Sequence, residues 1–211
     1  MCIRDRENGE DLVTLDPHGW EQPQQLGVTG AIGVRSVEVL TETPSGAEMK
    51  PADATVYRGT CARLNYLSQD RPDIRYASKE ASRSMAKPME GHWLLLKRIA
   101  RYLVGVPRLR QRFVWQQEAA AASTFVDSDW AGCRKSCKST SGGTIMAGRH
   151  MISAWSSTQG VIALSSGEAE LYAMVVGATK SLGMISLAAD FGATIGAQIH
   201  GDSTAAIGIV N

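Results

Sequence analysis

From about Phe113 to the end of the chain, the hydrophobic pattern changes period in an order that few folds accommodate. Three runs of strand character come first, "ASTFVDSD", "GGTIMAG" and "HMISAWSS", the last two joined by a short turn around Gly148 and Arg149. A long stretch of helical character follows from about Ser165 to Ala189, then a short strand at Ala197 to His200, then the start of a helix after Asp202. Three strands, helix, strand, helix is the pattern of an α/β domain.

The rest of the chain reads differently. From Thr55 the period is helical: Tyr57, Cys61, Leu64 and Tyr66–Leu67 recur at helix spacing, and Pro72 restarts the chain at the first turn of a second helix reaching about Met85. In "KPMEGHWLLLKRIARYLVG", Trp93, Leu96, Ile99–Ala100 and Leu103 make an apolar stripe, Lys97 and Arg101 stand one turn apart on another face, and Gly105 and Pro107 end the helix. Residues 7 to about 52 carry Asp16–Pro17, Gln22–Pro23 and Thr43–Pro44 without a sustained period, and read as loop or linker with one short strand at Ile32 to Leu40. The opening MCIRDR resembles a sequencing-library adapter read through as coding sequence and is set aside from fold reasoning. The expected division is therefore 1–54 irregular, 55–112 helical and 113–211 α/β.

A chain of 211 residues with 44% hydrophobic content can bury one good core, or one core and a smaller helical unit. No run of 18 or more apolar residues and no basic head before an apolar stretch is present, so the expectation is an intracellular protein without a membrane span. Four cysteines, Cys2, Cys61, Cys133 and Cys137, are too few for a disulfide framework at this length, and reduced thiols are expected. The net charge of +1 conceals a concentration of positive charge. Residues 58–112 hold 13 Lys and Arg against 4 Asp and Glu, about +9, which points either to a polyanionic partner such as nucleic acid or to a solvated helix face.

Acidic residues of the last segment collect where strands end and helices begin, the edges at which α/β folds place their chemistry. Asp127 and Asp129 close the first strand, Glu168 and Glu170 open the long helix, and Asp202 lies between the last strand and the last helix. Strand alternation would aim Asp127 and Asp129 the same way, where they repel. A divalent cation is the usual remedy, and oxygen-only ligands suit Mg²⁺ or Mn²⁺. Ser165-x-x-Glu168 has the form of a capping box, with Glu168 reaching back to the backbone N–H of Ser165, which gives Glu168 a structural task and leaves Glu170 the better ligand candidate. Glu170 also suits the helix dipole as a first-turn acid, and Asp202 also suits a helix N-cap.

Taken in order, "FVDSDWAGC", "KSTSGGTIMAG", "ISAWSSTQGVIALSSGEAELYAM" and "HGDSTAAIGI" resemble the ribonuclease H region at the end of copia-type LTR-retrotransposon Pol polyproteins. The segment from "YRGTCARLNYL" to "RIARYL" is similar to the helical stretch those polyproteins carry between the reverse transcriptase catalytic core and that region. The resemblance spans about residues 55–211 and implies an RNase H-like mixed sheet with helices, preceded by a small basic helical unit. It also implies metal-dependent hydrolysis of the RNA strand of RNA–DNA hybrids during reverse transcription. By position, Asp127, Glu170 and Asp202 are the implied catalytic and metal-holding residues, with two Mg²⁺ ions or Mn²⁺, one activating water and the other stabilising the leaving 3′ oxygen. Asp129 is implied to stand behind them as a supporting residue.

Lys97, Arg98 and Arg101 in the helical unit are expected to grip the phosphate backbone without reading sequence, and Arg134, Lys135 and Lys138 near the first strand suit either phosphate contacts beside the site or a simple solvated loop. The implied partners are the hybrid and the reverse transcriptase core of the same polyprotein, with no membrane, and the implied setting is the element's virus-like particle in the cytoplasm. The family carries a fourth acidic position further downstream than Asn211, so a weakened metal site is expected, and a non-catalytic nucleic-acid-binding fragment is the alternative reading. The paired-aspartate polymerase signature does not occur in the sequence, so DNA synthesis is not expected.

Cys133, Cys137 and His150 together suggest zinc only weakly, the cysteine spacing being wider than a zinc knuckle's and no fourth ligand being evident. Trp93, Trp130 and Trp155 lie in apolar runs and are expected in the core rather than stacked on bases. His92 is expected to be structural.

Overall fold

The computed structural model describes residues 46–111, 113–133 and 135–210, together with the backbone of 3–7 and 10–14. The strand expected at Ile32 to Leu40 lies outside the described residues. Two compact units are present, 1–112 and 113–211.

In the first unit, β1 (Ile3–Glu7) pairs antiparallel with β2 (Glu10–Thr14), and β2 pairs parallel with the two-residue β3 (Arg110–Gln111). The hairpin falls in a stretch whose sequence shows no sustained period. Three helices follow the described part of the linker: α1 (Pro51–Leu67), α2 (Arg75–Arg83) and α3 (Trp93–Gly105). Helix α1 starts at Pro51 rather than Thr55 because proline at the first helical position costs no hydrogen bond. Its buried stripe, Ala54, Tyr57, Cys61 and Leu64, meets Ala77 and Ala81 of α2 and Leu95, Leu96 and Ile99 of α3 in one core. Ala100 is exposed and Leu95 takes its place, so the buried stripe of α3 is rotated slightly from the one the sequence suggests. Val106 caps α3 where Gly105 and Pro107 break the period.

Much of the positive charge of this unit is used internally. The Arg71 guanidinium is buried against Asp73 at 2.8 Å and donates to the Val106 carbonyl at 3.0 Å, while Tyr102 donates to the same Asp73 at 2.8 Å. Arg58 donates to the Met85 carbonyl and Arg75 to that of Ser68. Lys79 and Arg83 both pair with Glu80. Lys97 and Arg101 of α3 stay exposed, and Arg98 is half-buried. His92 accepts the Met89 N–H at 2.8 Å through Nδ1, a structural contact. Trp93 packs edge-on against Tyr57.

The second unit is α/β and RNase H-like, with a mixed four-stranded sheet in the order β6-β5-β4-β7. Strands β4 (Ala121–Cys133), β5 (Lys138–Ala147) and β6 (His150–Thr158) form an antiparallel meander. The β5–β6 turn falls at Gly148, whose φ of +57° is one that side chains other than glycine's rarely adopt. The chain then crosses through α4 (Ser166–Asp190), returns as β7 (Gly196–His200) parallel to β4, and ends its described part in α5 (Thr204–Val210). The two units together hold five α-helices among the described residues.

Helix α4 is seated on β4 along one short row of residues. Ala169 and Ala173 are fully buried, and at Gly177 an added Cβ would lie 2.5 Å from Val126 Cγ1. Ser181 donates to the Gly177 carbonyl and therefore accepts from Thr124 Oγ1 at 2.7 Å, a hydroxyl having one proton to give. By length and composition alone α4 is apolar enough to cross a membrane, a property the sequence search for uninterrupted apolar runs does not pick up. Trp155 is buried with its indole laid over Gly143, where a Cβ would collide with it, and Lys180 of α4 caps the ring 5.2 Å from its centroid. Trp130 departs from expectation: it is 49% exposed and held by an Nε1–H bond to the Ala163 carbonyl at 3.1 Å.

Two glycines of α4 test this packing. Gly183 has open space around its would-be Cβ, so Gly183→Ala gains about 1 kcal/mol of helix propensity. Gly177→Ala meets the buried Val126 and loses about 1–3 kcal/mol to overpacking, more than the same propensity gain returns. Urea unfolding of both variants is expected to shift in opposite directions; a stabilised Gly177→Ala would contradict the seating described.

Candidate metal centre

The register of β4 and β7 assembles two acids. The strands run parallel with Phe125 opposite His200, their rings stacked 4.7 Å apart. Two residues onward along each chain come Asp127 and Asp202, so both carboxylates leave the sheet at the same end. Gly201, the residue before Asp202, packs against Met174 of α4, whose Cε a Cβ there would approach to 2.5 Å.

The third acid comes from α4. Ser165 caps the helix by accepting the Glu168 N–H at 3.1 Å. Glu168 reaches back, but to the N–H of Leu164 at 2.7 Å rather than that of Ser165, and takes a further bond from the Tyr172 hydroxyl. Gln159, buried beneath this turn, donates to the Ala169 carbonyl at 2.8 Å and to Ser141 Oγ at 2.9 Å, tying the start of the helix to the sheet. Glu170 then projects inward and is only 8% exposed. Its Oε1 accepts two bonds from Ser128, the hydroxyl at 2.8 Å and the backbone N–H at 3.1 Å. Its Oε2 is buried with no hydrogen-bond partner.

One carboxylate oxygen from each of Asp127, Glu170 and Asp202 lies within 4.8 Å of the other two, and among the described residues no other group of three acids, histidines or cysteines converges in this way. Both open alternatives for these acids are narrowed by the hydrogen bonds. The N-cap of α5 is Ser203, which accepts the Ala206 N–H at 3.2 Å, so Asp202 has no capping task. Glu170 falls beyond the first turn of α4, where the acid is Glu168, so the helix dipole does not account for its burial or its orphan oxygen.

The electrostatics match the geometry. Asp127 is pushed above the ordinary carboxylate range, first by desolvation, then by the nearby Asp202. Glu170 is pushed up as well, chiefly by desolvation, against the lowering effect of its two bonds from Ser128. A converging set of carboxylates of this kind, all oxygen donors, with one oxygen buried and orphaned, fits a hard divalent cation such as Mg²⁺ or Mn²⁺.

Asp129 stands outside the trio. After it β4 bulges, its pairing with β5 skipping from Asp129 to Cys133, and Ala131 takes a left-handed φ of +51°. The Asp129 carboxylate lies over the Cα of Gly132, the one residue type there that leaves it room. The pairing is regular through Asp127, Ser128 and Asp129, so the two aspartates keep the same-side relation that alternation suggests, and the charge of Asp129 adds to what holds the proton on Asp127.

Of the basic candidates, Lys97, Arg98 and Arg101 belong to the first unit, and Lys135 is exposed in the β4–β5 turn of the second. Lys138 donates to the Gly160 carbonyl at 2.7 Å. Arg134 lies outside the described residues. His150 meets Gln116 Nε2 at 3.1 Å and the ring of Phe113, in a contact separate from the carboxylate group. Ser128 and Gln159 were not singled out from the sequence. Their task depends on elements far apart in the chain, and the only local sign is a serine set between two aspartates.

An RNase H-like α/β unit carrying a converging carboxylate trio defines the class of protein. The chain is 39% identical over 121 residues to the retrovirus-related Pol polyprotein from transposon RE2 of Arabidopsis thaliana, a match covering 57% of this chain and 8% of that polyprotein. It is 36% identical over 143 residues to the corresponding polyprotein from transposon RE1 of the same plant, covering 68% of this chain and 10% of the relative. An uncharacterised mitochondrial protein of Arabidopsis thaliana is 32% identical over 131 residues, 62% of this chain and 54% of its own. No protein-family model and no solved structure matches the chain. The chain is of retrotransposon Pol polyprotein origin and spans about a tenth of the length of the two polyproteins it matches.

The raised acids make a signed prediction. In the folded chain Asp127 and Glu170 hold their protons above their ordinary values of 3.8 and 4.5, so without metal the folded state is favoured below about pH 4 and loses that advantage as pH rises through the raised values. Asp127→Asn removes one of the repelling charges. Its Tm, measured in chelator, is expected to gain on wild type as pH rises above about 4, whereas added Mg²⁺ is expected to raise the Tm of wild type alone. A Tm difference independent of pH would contradict the assignment.

Proposed function

We propose that this chain is the ribonuclease H part of a copia-type retrotransposon Pol polyprotein, preceded by its basic connecting helices, and that it hydrolyses the RNA strand of RNA–DNA hybrids during reverse transcription. The observation that carries the reading is the convergence of Asp127, Glu170 and Asp202 within 4.8 Å, with Glu170 Oε2 buried and unpartnered. The Pol polyprotein relatives support it at the level of origin.

In this reading Asp127, Glu170 and Asp202 hold the divalent cations, two Mg²⁺ with Mn²⁺ as substitute. When bound, these supply Lewis-acid activation of water and stabilisation of the departing 3′ oxygen. Glu170 is the fixed member, buried and oriented from the sheet, while Asp127 and Asp202 are exposed and leave the cluster open to a phosphodiester from the solvent side. Lys97 and Arg101, exposed on α3, and Lys135 on the β4–β5 turn offer phosphate contacts without base readout. The partners are the hybrid and the reverse transcriptase core of the same polyprotein, in the cytoplasmic particle of the element.

Cleavage of a labelled hybrid with Mg²⁺ or Mn²⁺ is expected to be lost in Asp127→Asn while hybrid binding remains. Equal cutting by the two proteins would remove Asp127 from its role, and binding without cutting by wild type would leave a nucleic-acid-binding segment only. Lys97→Ala combined with Arg101→Ala is expected to weaken binding and to flatten its dependence on log salt by about 0.9 for each phosphate no longer neutralised. An unchanged slope would place the grip elsewhere.

A further inference from the structure

We propose that Ser128 is a positioning residue for the metal centre: its hydroxyl fixes Oε1 of the Glu170 carboxylate and so holds Oε2 in place as the oxygen left for a cation shared with Asp127 and Asp202, and this bond sets the affinity for a divalent cation. The inference rests on the metal-holding role proposed above and adds a residue that neither the spacing of the acids nor the comparisons single out.

The placement follows from how β4 meets α4. Alternate residues of the strand, Thr124, Val126 and Ser128, touch the helix in turn at Ser181, Gly177 and Glu170. These helix positions lie eleven, seven and zero residues from Glu170, one face of a helix with 3.6 residues per turn. Two members of the row serve packing: a buried hydroxyl pair at Thr124 and a close approach at Val126. At Ser128 the same row ends on a carboxylate instead.

Both donors of Ser128, the hydroxyl at 2.8 Å and the N–H at 3.1 Å, converge on the same oxygen of Glu170. That concentration is informative. A carboxylate with two partners on one oxygen cannot rotate without breaking both, so the other oxygen is held where it is, buried and without a protein donor. A flexible three-torsion side chain is thereby fixed before any cation arrives, the arrangement by which supporting hydrogen bonds raise the affinity of metal ligands. The backbone N–H survives any substitution, so only the hydroxyl's share is open to mutation.

The test compares the full chain with Ser128→Ala, Ser128→Thr and Ser128→Val, reading Mn²⁺ affinity from the EPR signal of free Mn²⁺ and folding from thermal unfolding. Threonine and valine have nearly the same shape and both suit a strand, so the hydroxyl is the difference between them. Ser128→Ala and Ser128→Val are expected to bind Mn²⁺ about tenfold more weakly than wild type, with Ser128→Thr restoring most of the affinity at an unchanged difference in Tm. If Thr and Val bind alike, or if Ala binds as wild type does, the positioning role is overturned; Asp127→Asn, measured alongside, then shows whether the metal centre stands without it. Failure of wild type to bind Mn²⁺, or equal binding by Asp127→Asn, would overturn the metal-holding role and this inference together.

Discussion

Three carboxylates gathered within 4.8 Å, one of them buried, are the constraint on which the second unit turns. Left to themselves they repel and resist desolvation, and both effects hold the protons of Asp127 and Glu170 above their ordinary range. The surrounding fold is organised to hold them there regardless. Parallel pairing of β4 with β7 supplies two of the acids at the end of that ladder. The crossover helix, anchored at its start by Ser165, Glu168 and Gln159, supplies the third. Such an arrangement suits a positive charge, which is what the proposed function asks of it.

The first unit shows why a count of charges is a poor guide to a binding surface. The 13 basic residues against 4 acidic ones in its residues 58–112 suggest a basic face. Several of those cations instead close the helical core: Arg71 is buried against Asp73, Arg58 and Arg75 cap carbonyls, and Lys79 and Arg83 share Glu80. What remains for an outside polyanion is narrower, and Lys97 and Arg101 on α3 are its clearest members.

Much of the architecture was legible in the sequence because it is written in local period. The order of strands and helices in the second unit, the Gly148 turn, the start of α4 at its serine cap and the end of α3 at Gly105 all follow from patterns spanning a few residues. The capping logic also separated Glu168 from Glu170, although Glu168 bonds Leu164 rather than the expected Ser165. What escaped depends on packing across the fold. Ser128 and Glu170 are 42 positions apart, and nothing near either one announces the bond. Trp130 reads as core as part of an apolar run, yet it directly follows Asp129, where the bulge begins, and is half exposed. Leu95 replaced Ala100 in the α3 stripe for a similar reason, since the packing of three helices decides the rotation that periodicity leaves free.

The most direct measurement is the anomalous scattering of Mn²⁺ in crystals of this chain. The account predicts a peak at the meeting point of Asp127, Glu170 and Asp202, within bonding distance of Glu170 Oε2, that vanishes in Asp127→Asn. Manganese bound elsewhere, or a carboxylate trio that stays metal-free at saturating Mn²⁺, would contradict it.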